Sequence, residues 1–308
     1  MKTNILKISI CSIALCVASL VASAQVKDLH HDFSAFDSIE IENDFYVNVL
    51  KSKRNNDYSI AITADDILID YIQTYVKNHT LYIGLNKKAL PSDIKKLYKG
   101  RKTPNPTLNA TVYMASELTG VKMSGAAVLT VENEIECKDF EADLSDNSQL
   151  KKLSVDASTF SIKTANKSFA DIIVYADDIK VDASGNSQIQ LEQDSQTLDL
   201  TVAGSAIVNA EGETLEAALN TNGTSKTTLI GKTDVINVTG AGASFVDAIN
   251  FKAAECGVKL TGSCKVVEAA SESLHIDASG NSTLIFDGDP AIDIINIKSS
   301  TVQRYENK

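Results

Sequence analysis

From about Met123 onward, apolar side chains occupy alternate positions, and a short run of small residues breaks the alternation every 18 to 21 residues. The clearest copies of that run, Asp182-Ala183-Ser184-Gly185-Asn186-Ser187 and Asp277-Ala278-Ser279-Gly280-Asn281-Ser282, are identical. A period of two marks strands, because successive side chains of a strand point to opposite faces. A longer period laid over it marks a repeat in which one strand–turn–strand unit stacks on the next.

With the glycine as position zero, the equivalents are Gly125, Asp146, Asn166, Gly185, Gly204, Gly223, Gly242, Gly262, Gly280 and Ser299. Gly, Asn and Asp accept left-handed backbone angles, so the column predicts one sharp structural corner per coil. The positions four before zero, from Val121 through Val181 to Ile295, and four after, from Leu129 through Ile189 to Gln303, are almost all apolar and read as core. Two after zero every occupant is small, from Ala127 through Ser187 and Cys264 to Thr301, as a bend with converging inner faces demands. A second, polar corner closes each coil, as in Glu192 to Gln196, Glu211 to Thr214 and Gly231 to Asp234.

The pattern predicts an all-β chain whose residues 119–308 form a right-handed parallel β-helix, or solenoid, of about 19-residue coils stacked about 4.8 Å apart. Strand edges left at the ends need covering, so the N-terminal strands are expected to cap one end and the tail from Val302 to Lys308 the other.

Residues 25–118 precede the repeats, either as a separate unit or as their continuation. Ile39, Ile41, Phe45, Val47 and Val49 alternate with polar residues and predict one half-buried strand. Tyr58, Ile60 and Ile62 predict another, and Leu108, Ala110, Val112 and Met114 a third. Ile72 to Val76 and Leu81 to Leu85 flank Asn78-His79 as a hairpin, giving an antiparallel β region.

A basic helix or loop insertion at 87–106 interrupts these strands, with Lys87, Lys88, Lys95, Lys96, Lys99, Arg101 and Lys102 against Asp93 alone. Pro91-Ser92-Asp93 starts a short helix, Ile94, Leu97 and Tyr98 share one face, and Gly100 ends it. Lys95, Lys96, Lys99, Arg101 and Lys102 are the candidate partner-binding residues, for an acidic partner or another copy of this acidic chain. The plainer reading, a solvated charged loop, carries the greater weight.

Composition narrows the class. Residues 1–24 read as a signal peptide, with Lys2 and Lys7, an apolar run from Ile8 to Val21 and Ala22-Ser23-Ala24 at the cleavage site. Loss of this leader takes the formal charge from −11 to −13, 27 basic against 40 acidic residues. That charge argues against nucleic acid as a partner, and no later stretch is long and apolar enough for a membrane helix. Cys11 and Cys16 leave with the leader. Cys137, Cys256 and Cys264 remain, too widely spaced for zinc, with Cys256 and Cys264 expected as buried free thiols.

The strand Phe36-Asp37-Ser38-Ile39-Glu40-Ile41-Glu42-Asn43-Asp44-Phe45-Tyr46-Val47, the hairpin ending Leu81-Tyr82-Ile83, the serial Ser-Gly-Asn corners and the closing Phe286-Asp287-Gly288-Asp289-Pro290 together resemble the putative auto-transporter adhesin head domain family, also called the head GIN domain. The resemblance spans nearly the whole chain after the leader. It implies an exported, all-β, solenoid-like bacterial envelope protein of adhesive type, with no catalytic residues to transfer. No membrane-barrel pattern follows the repeats, so self-secretion is not expected.

No catalytic, cofactor or metal motif accompanies this architecture. Asp182 and Asp277 occupy matching positions but lack the spacing of a calcium solenoid, and His30, His31, His79 and His275 lack metal-ligand spacing. No GxSxG elbow anchors nucleophilic chemistry. The expected function is therefore an exported, non-catalytic envelope module, adhesive toward an unknown envelope protein or glycan and sited in the periplasm or at the cell surface. Its alternative is a periplasmic structural or regulatory partner, with a polysaccharide-degrading β-helix enzyme in third place.

Overall fold

The computed structural model describes residues 26–54, 56–98 and 106–306. The expected leader, together with Lys99, Gly100, Arg101 and Lys102, lies outside the described residues. The strands are β1 (Val26–Asp32), β2 (Ser38–Ile41), β3 (Tyr46–Lys51), β4 (Ser59–Asp65), β5 (Ile72–Lys77), β6 (Thr80–Leu85), β7 (Leu108–Met114), β8 (Gly120–Met123), β9 (Val128–Val131) and β10 (Ile135–Leu144). They continue as β11 (Gln149–Thr164), β12 (Phe169–Ala183), β13 (Gln188–Val202), β14 (Ile207–Thr221), β15 (Lys226–Gly240), β16 (Phe245–Leu260), β17 (Lys265–Ser279), β18 (Thr283–Asp287), β19 (Ala291–Lys298) and β20 (Thr301–Arg304). A 3-10 turn spans Asp66–Tyr71 and one short helix, α1, spans Ser92–Leu97. No helix among the described residues is long and apolar enough to cross a membrane.

The chain forms a β-solenoid of about ten turns. Each strand from β11 to β17 runs from one sharp corner to the next and pairs in parallel with its successor, so that Ile179, Leu198 and Ala217 stand one above another. All ten residues at position zero take positive φ, from 59° at Ser299 to 86° at Gly262. A second constraint adds to this angle. The N–H of Ser205 donates to the Gly185 carbonyl at 2.7 Å and that of Thr224 to Gly204 at 2.7 Å, which draws successive corners together. A Cβ on Gly223 would lie 2.6 Å from the Gly204 oxygen. Asp146 and Asn166 tolerate the site through their own hydrogen bonds: the Asp146 carboxylate accepts from the Gly125 N–H at 3.1 Å and from the Asn166 amide at 3.3 Å.

The small residues two after the corner are buried from Ala127 to Ser282, only Thr301 of the last coil being exposed, and size is only part of the reason. Ser148 Oγ donates to the Ser145 carbonyl at 2.7 Å and Ser168 Oγ to the Ala165 carbonyl at 2.9 Å, satisfying acceptors that the turn takes out of the ladders. Ser187 instead accepts from Thr164 at 3.0 Å.

Three expectations change: two are corrected, and the polar second corner is extended. First, residues 39–49 are not one strand. They divide into β2 and β3 around Asn43, whose φ is 73°. Here β2 pairs in parallel with β8 and β3 with β9, and the Ala126 N–H donates to the Asn43 carbonyl at 2.9 Å. This segment is therefore a coil stacked directly on residues 120–131. On its far side β6 and β7 extend the two sheets in parallel. The expected antiparallel strands lie beyond: β5 on β6, β4 on β7 and β1 on β4. Asn78 and His79, at φ 50° and 60°, form the tight hairpin between β5 and β6.

Second, the other corner is polar on its inside. Gln193, Ser195, Thr214 and Thr233 are buried. Thr214 Oγ1 bonds the carbonyls of Gln196 and Glu216 at 3.1 and 3.2 Å, and Thr233 Oγ1 those of Leu215 and Val235 at 3.0 Å each. The strand bends here without leaving the ladder.

Third, the tail as far as Glu306, where the described residues end, does not cap the last coil. A bulge after Ile294 slips the register, so Ile292, Ile294 and Ile297, not Ile295, face the core positions Leu274, Ile276 and Ala278. All eight residues of β19 are exposed, and Gln303 points outward while Val302 takes its place opposite Leu284.

Candidate functional site

The basic segment sits at the N-terminal end of the solenoid. Ile94 and Tyr98 pack against the core, whereas Leu97, expected on the same face, is 51% exposed. Burial raises the Tyr98 phenol's pKa, and Oη donation to the buried Asp65 carboxylate at 2.6 Å adds to the rise. The segment is thus pinned by its apolar face, leaving Lys95 and Lys96 exposed. Among the described residues Lys95 Nζ reaches only the Lys88 carbonyl, at 3.3 Å, while Lys87 lies 3.7 Å from Asp44. Of the five candidate partner-binding residues, these two are presented outward and the other three lie outside the described residues.

The predicted corner residues Gly125, Gly185, Gly204, Gly223, Gly242, Gly262 and Gly280 form one continuous edge, and their chemistry is that of the turn. The opposite edge carries charge. Strand register aligns Glu136, Asp156, Tyr175, Asp194, Glu213, Lys232 and Lys252 in one column, acidic toward the N-terminal end and basic toward the other. The two signs meet where Lys232 Nζ lies 2.8 Å from Glu213. Each of these residues stands ten positions before a corner, from Asp146 to Gly262, so the repeat spacing itself carries the column, at a position the core columns do not use.

The outer faces carry polar side chains bonded from coil to coil. Thr159 donates to Asp139 at 2.7 Å, Thr197 to Asp178 at 2.6 Å and Gln196 to Asp177 at 2.6 Å, each bridging positions 19 or 20 residues apart. A shallow groove of about 460 Å³ interrupts the face between Asn237, Glu255, Lys259, His275 and Asp277, at Gly257. His275 Nδ1 lies 3.2 Å from Asp293 at its rim. On the N-terminal coils, Tyr75 and Tyr82 stack with centroids 4.9 Å apart, and Tyr75 is 47% exposed. This aromatic pair arises from the β5–β6 register and not from any sequence motif. Among the described residues, no group of three or more His, Cys, Asp or Glu side chains is placed to hold a metal.

The three cysteines are free. Cys256 and Cys264 are buried and burial raises both thiol pKa values, while Cys137 is partly exposed and raised first by desolvation and then by nearby acids. A thiol reagent at neutral pH is expected to label Cys137 slowly in the native protein and all three only after denaturation. Rapid native labelling of Cys256, read by peptide mass spectrometry, would contradict the packing.

The architecture can be compared with known proteins. A crystal structure of a putative adhesin from Parabacteroides merdae superposes with a TM-score of 0.50 at 16% identity, covering 92% of this chain and 98% of that one. One of a putative adhesin from Parabacteroides distasonis gives 0.50 and 16% with the same coverage. At that identity the likeness speaks to the fold. No curated protein matches significantly. The repeat pattern itself matches a family model over residues 35–212 and again over 166–290, which takes in both the Asn43 coil and the serial corners. On that match the chain belongs to the putative auto-transporter adhesin, head GIN domain family.

Proposed function

We propose that this protein is an exported, non-catalytic adhesive module, whose rod presents repeated polar contacts to an envelope protein or a glycan. The observation that carries the reading is the coil-to-coil repetition of outward polar ladders, such as Asp178–Thr197 and Asp139–Thr159, on a scaffold held by ladders through every coil. Such a surface offers many similar weak contacts at fixed spacing, which suits a polymeric or repetitive partner through multivalency. Membership of an adhesin head family supports the same reading. Export rests on the leader pattern of residues 1–24.

Protease shaving of intact cells, followed by immunodetection, tests the location. Loss of the protein from intact cells is the expected result. Survival in intact cells with loss after outer-membrane permeabilisation would replace the adhesive reading with the periplasmic structural or regulatory one.

A further inference from the structure

We propose that two copies of this protein join end to end through their C-terminal coils, with β19 of one copy pairing antiparallel with β19 of the other. The two ends of the solenoid differ. At the N-terminal end the core is closed: Leu68 of the 3-10 turn is fully buried, and Ile69, Ile94 and Tyr98 pack beside it. At the C-terminal end Ile292, Ile294 and Ile297 continue the core columns of Leu274, Ile276 and Ala278 yet are 47%, 57% and 41% exposed. Ile295, on the bulge, is 67% exposed. Among the described strands β19 pairs only with β17 and β20 only with β18, so both sheets finish in free edges beside an apolar core section.

The shape of that end selects its occupant. A free strand edge takes another strand, and an apolar section flanked by two sheet edges is matched by another such section. The N-terminal end also leaves the outer edges of β1 and β5 unpaired among the described strands, but Leu68, Ile69, Ile94 and Tyr98 cover its core, so it has no exposed apolar section to match and head-to-tail stacking is disfavoured. Charge points the same way. Asp293 and Lys298 lie near opposite ends of β19, so an antiparallel copy brings each carboxylate toward the other chain's ammonium. The contact is isologous and closes at two copies.

Sedimentation of the purified protein at concentrations up to about 0.1 mM is expected to show a reversible dimer. Ile294→Lys with Ile297→Lys should give a monomer with unchanged circular dichroism and, at dilutions where wild type is also monomeric, the same melting temperature, because both side chains are largely exposed in the single chain. Asp293→Lys should weaken dimerisation about tenfold, and adding Lys298→Asp should restore it to near the original constant. A monomeric wild-type protein, open-ended filaments, a dimer indifferent to the isoleucine changes, or failure of the charge swap to restore pairing would each overturn the proposal.

Discussion

Replacing Gly212 with alanine is expected to destabilise the protein by about 3–5 kcal/mol, an effect reserved for a few severe mechanisms. The new Cβ would lie 1.6 Å from the Gln193 carbonyl oxygen and 2.7 Å from its carbon, at a residue whose φ is 143°. The unusual backbone angle alone costs about 1–3 kcal/mol. The clash adds to it because the obstacle is backbone. Gln193 and Gly231 are the ladder neighbours of Gly212 on the two flanking coils, so neither side can retreat without opening hydrogen bonds. Each coil touches only its neighbours, and amide exchange should therefore accelerate first in β13 and β14. Gly257→Ala is the control. Its Cβ would meet the Asn237 carboxamide oxygen at 2.5 Å, the end of a side chain that can rotate away, and a change within about 0.5 kcal/mol is expected. Equal urea midpoints for the two variants would mean that the inner bend has room the packing denies it.

The left-handed corners were legible because few residues tolerate their backbone angle, and the chain repeats those residues at a fixed spacing. The core columns followed from the alternation on either side. What escaped was geometry that leaves the alternation intact. At Asn43 the chain turns a corner between Ile41 and Phe45, both fully buried and four residues apart, so parity is preserved and one strand reads the same as two. At the inner bend, Thr214 and Thr233 look like surface residues because polar side chains usually are. They turn inward because the bend leaves backbone carbonyls inside the coil that need donors. In the last coil one extra residue, the bulge at Ile295, lengthens the spacing to the coil before it from 18 to 19, and a corner one residue shorter restores 18 at Thr301 and Val302; no composition signal marks either change.

The candidate surface was less legible than the scaffold. The basic run is visible as composition, and its helix follows from Pro91 and Ser92, but which lysines face outward depends on Ile94 and Tyr98 finding the core. The charge column from Glu136 to Lys252 is contained in the repeat, ten positions before each corner from Asp146 to Gly262, but nothing in its mixed residue types singles it out before the coils are stacked. The Tyr75–Tyr82 stack depends on the β5–β6 register across a hairpin, a tertiary fact that the chain read along its length does not contain.

Stability is expected to fall as the pH rises from about 4.5 to about 7, and Glu268→Gln to abolish most of that fall. Glu268 is 1% exposed inside the solenoid, between Ala248 and Phe286 of the flanking coils. Desolvation raises its pKa from 4.5 to about 7, although the Cys256 thiol donates to one carboxyl oxygen and partly offsets the shift. The other oxygen is buried without a partner, a position better suited to a neutral acid than to a carboxylate. Between the two pKa values the folded state holds a proton that the unfolded state has released, so stability declines with rising pH and levels off above both. A shift of this size corresponds to about 3 kcal/mol. A second decline is expected above pH 9, because burial and the Glu268 charge hold the Cys256 thiol protonated in the folded chain while the unfolded thiol ionises. Urea midpoints at pH 5 and pH 8 separate the contributions: the wild-type protein should lose stability between them and Glu268→Gln should lose much less, ending more stable than wild type at pH 8. Parallel pH profiles for the two proteins would mean that Glu268 ionises in the folded chain as readily as in the unfolded one, and that burial does not hold its proton.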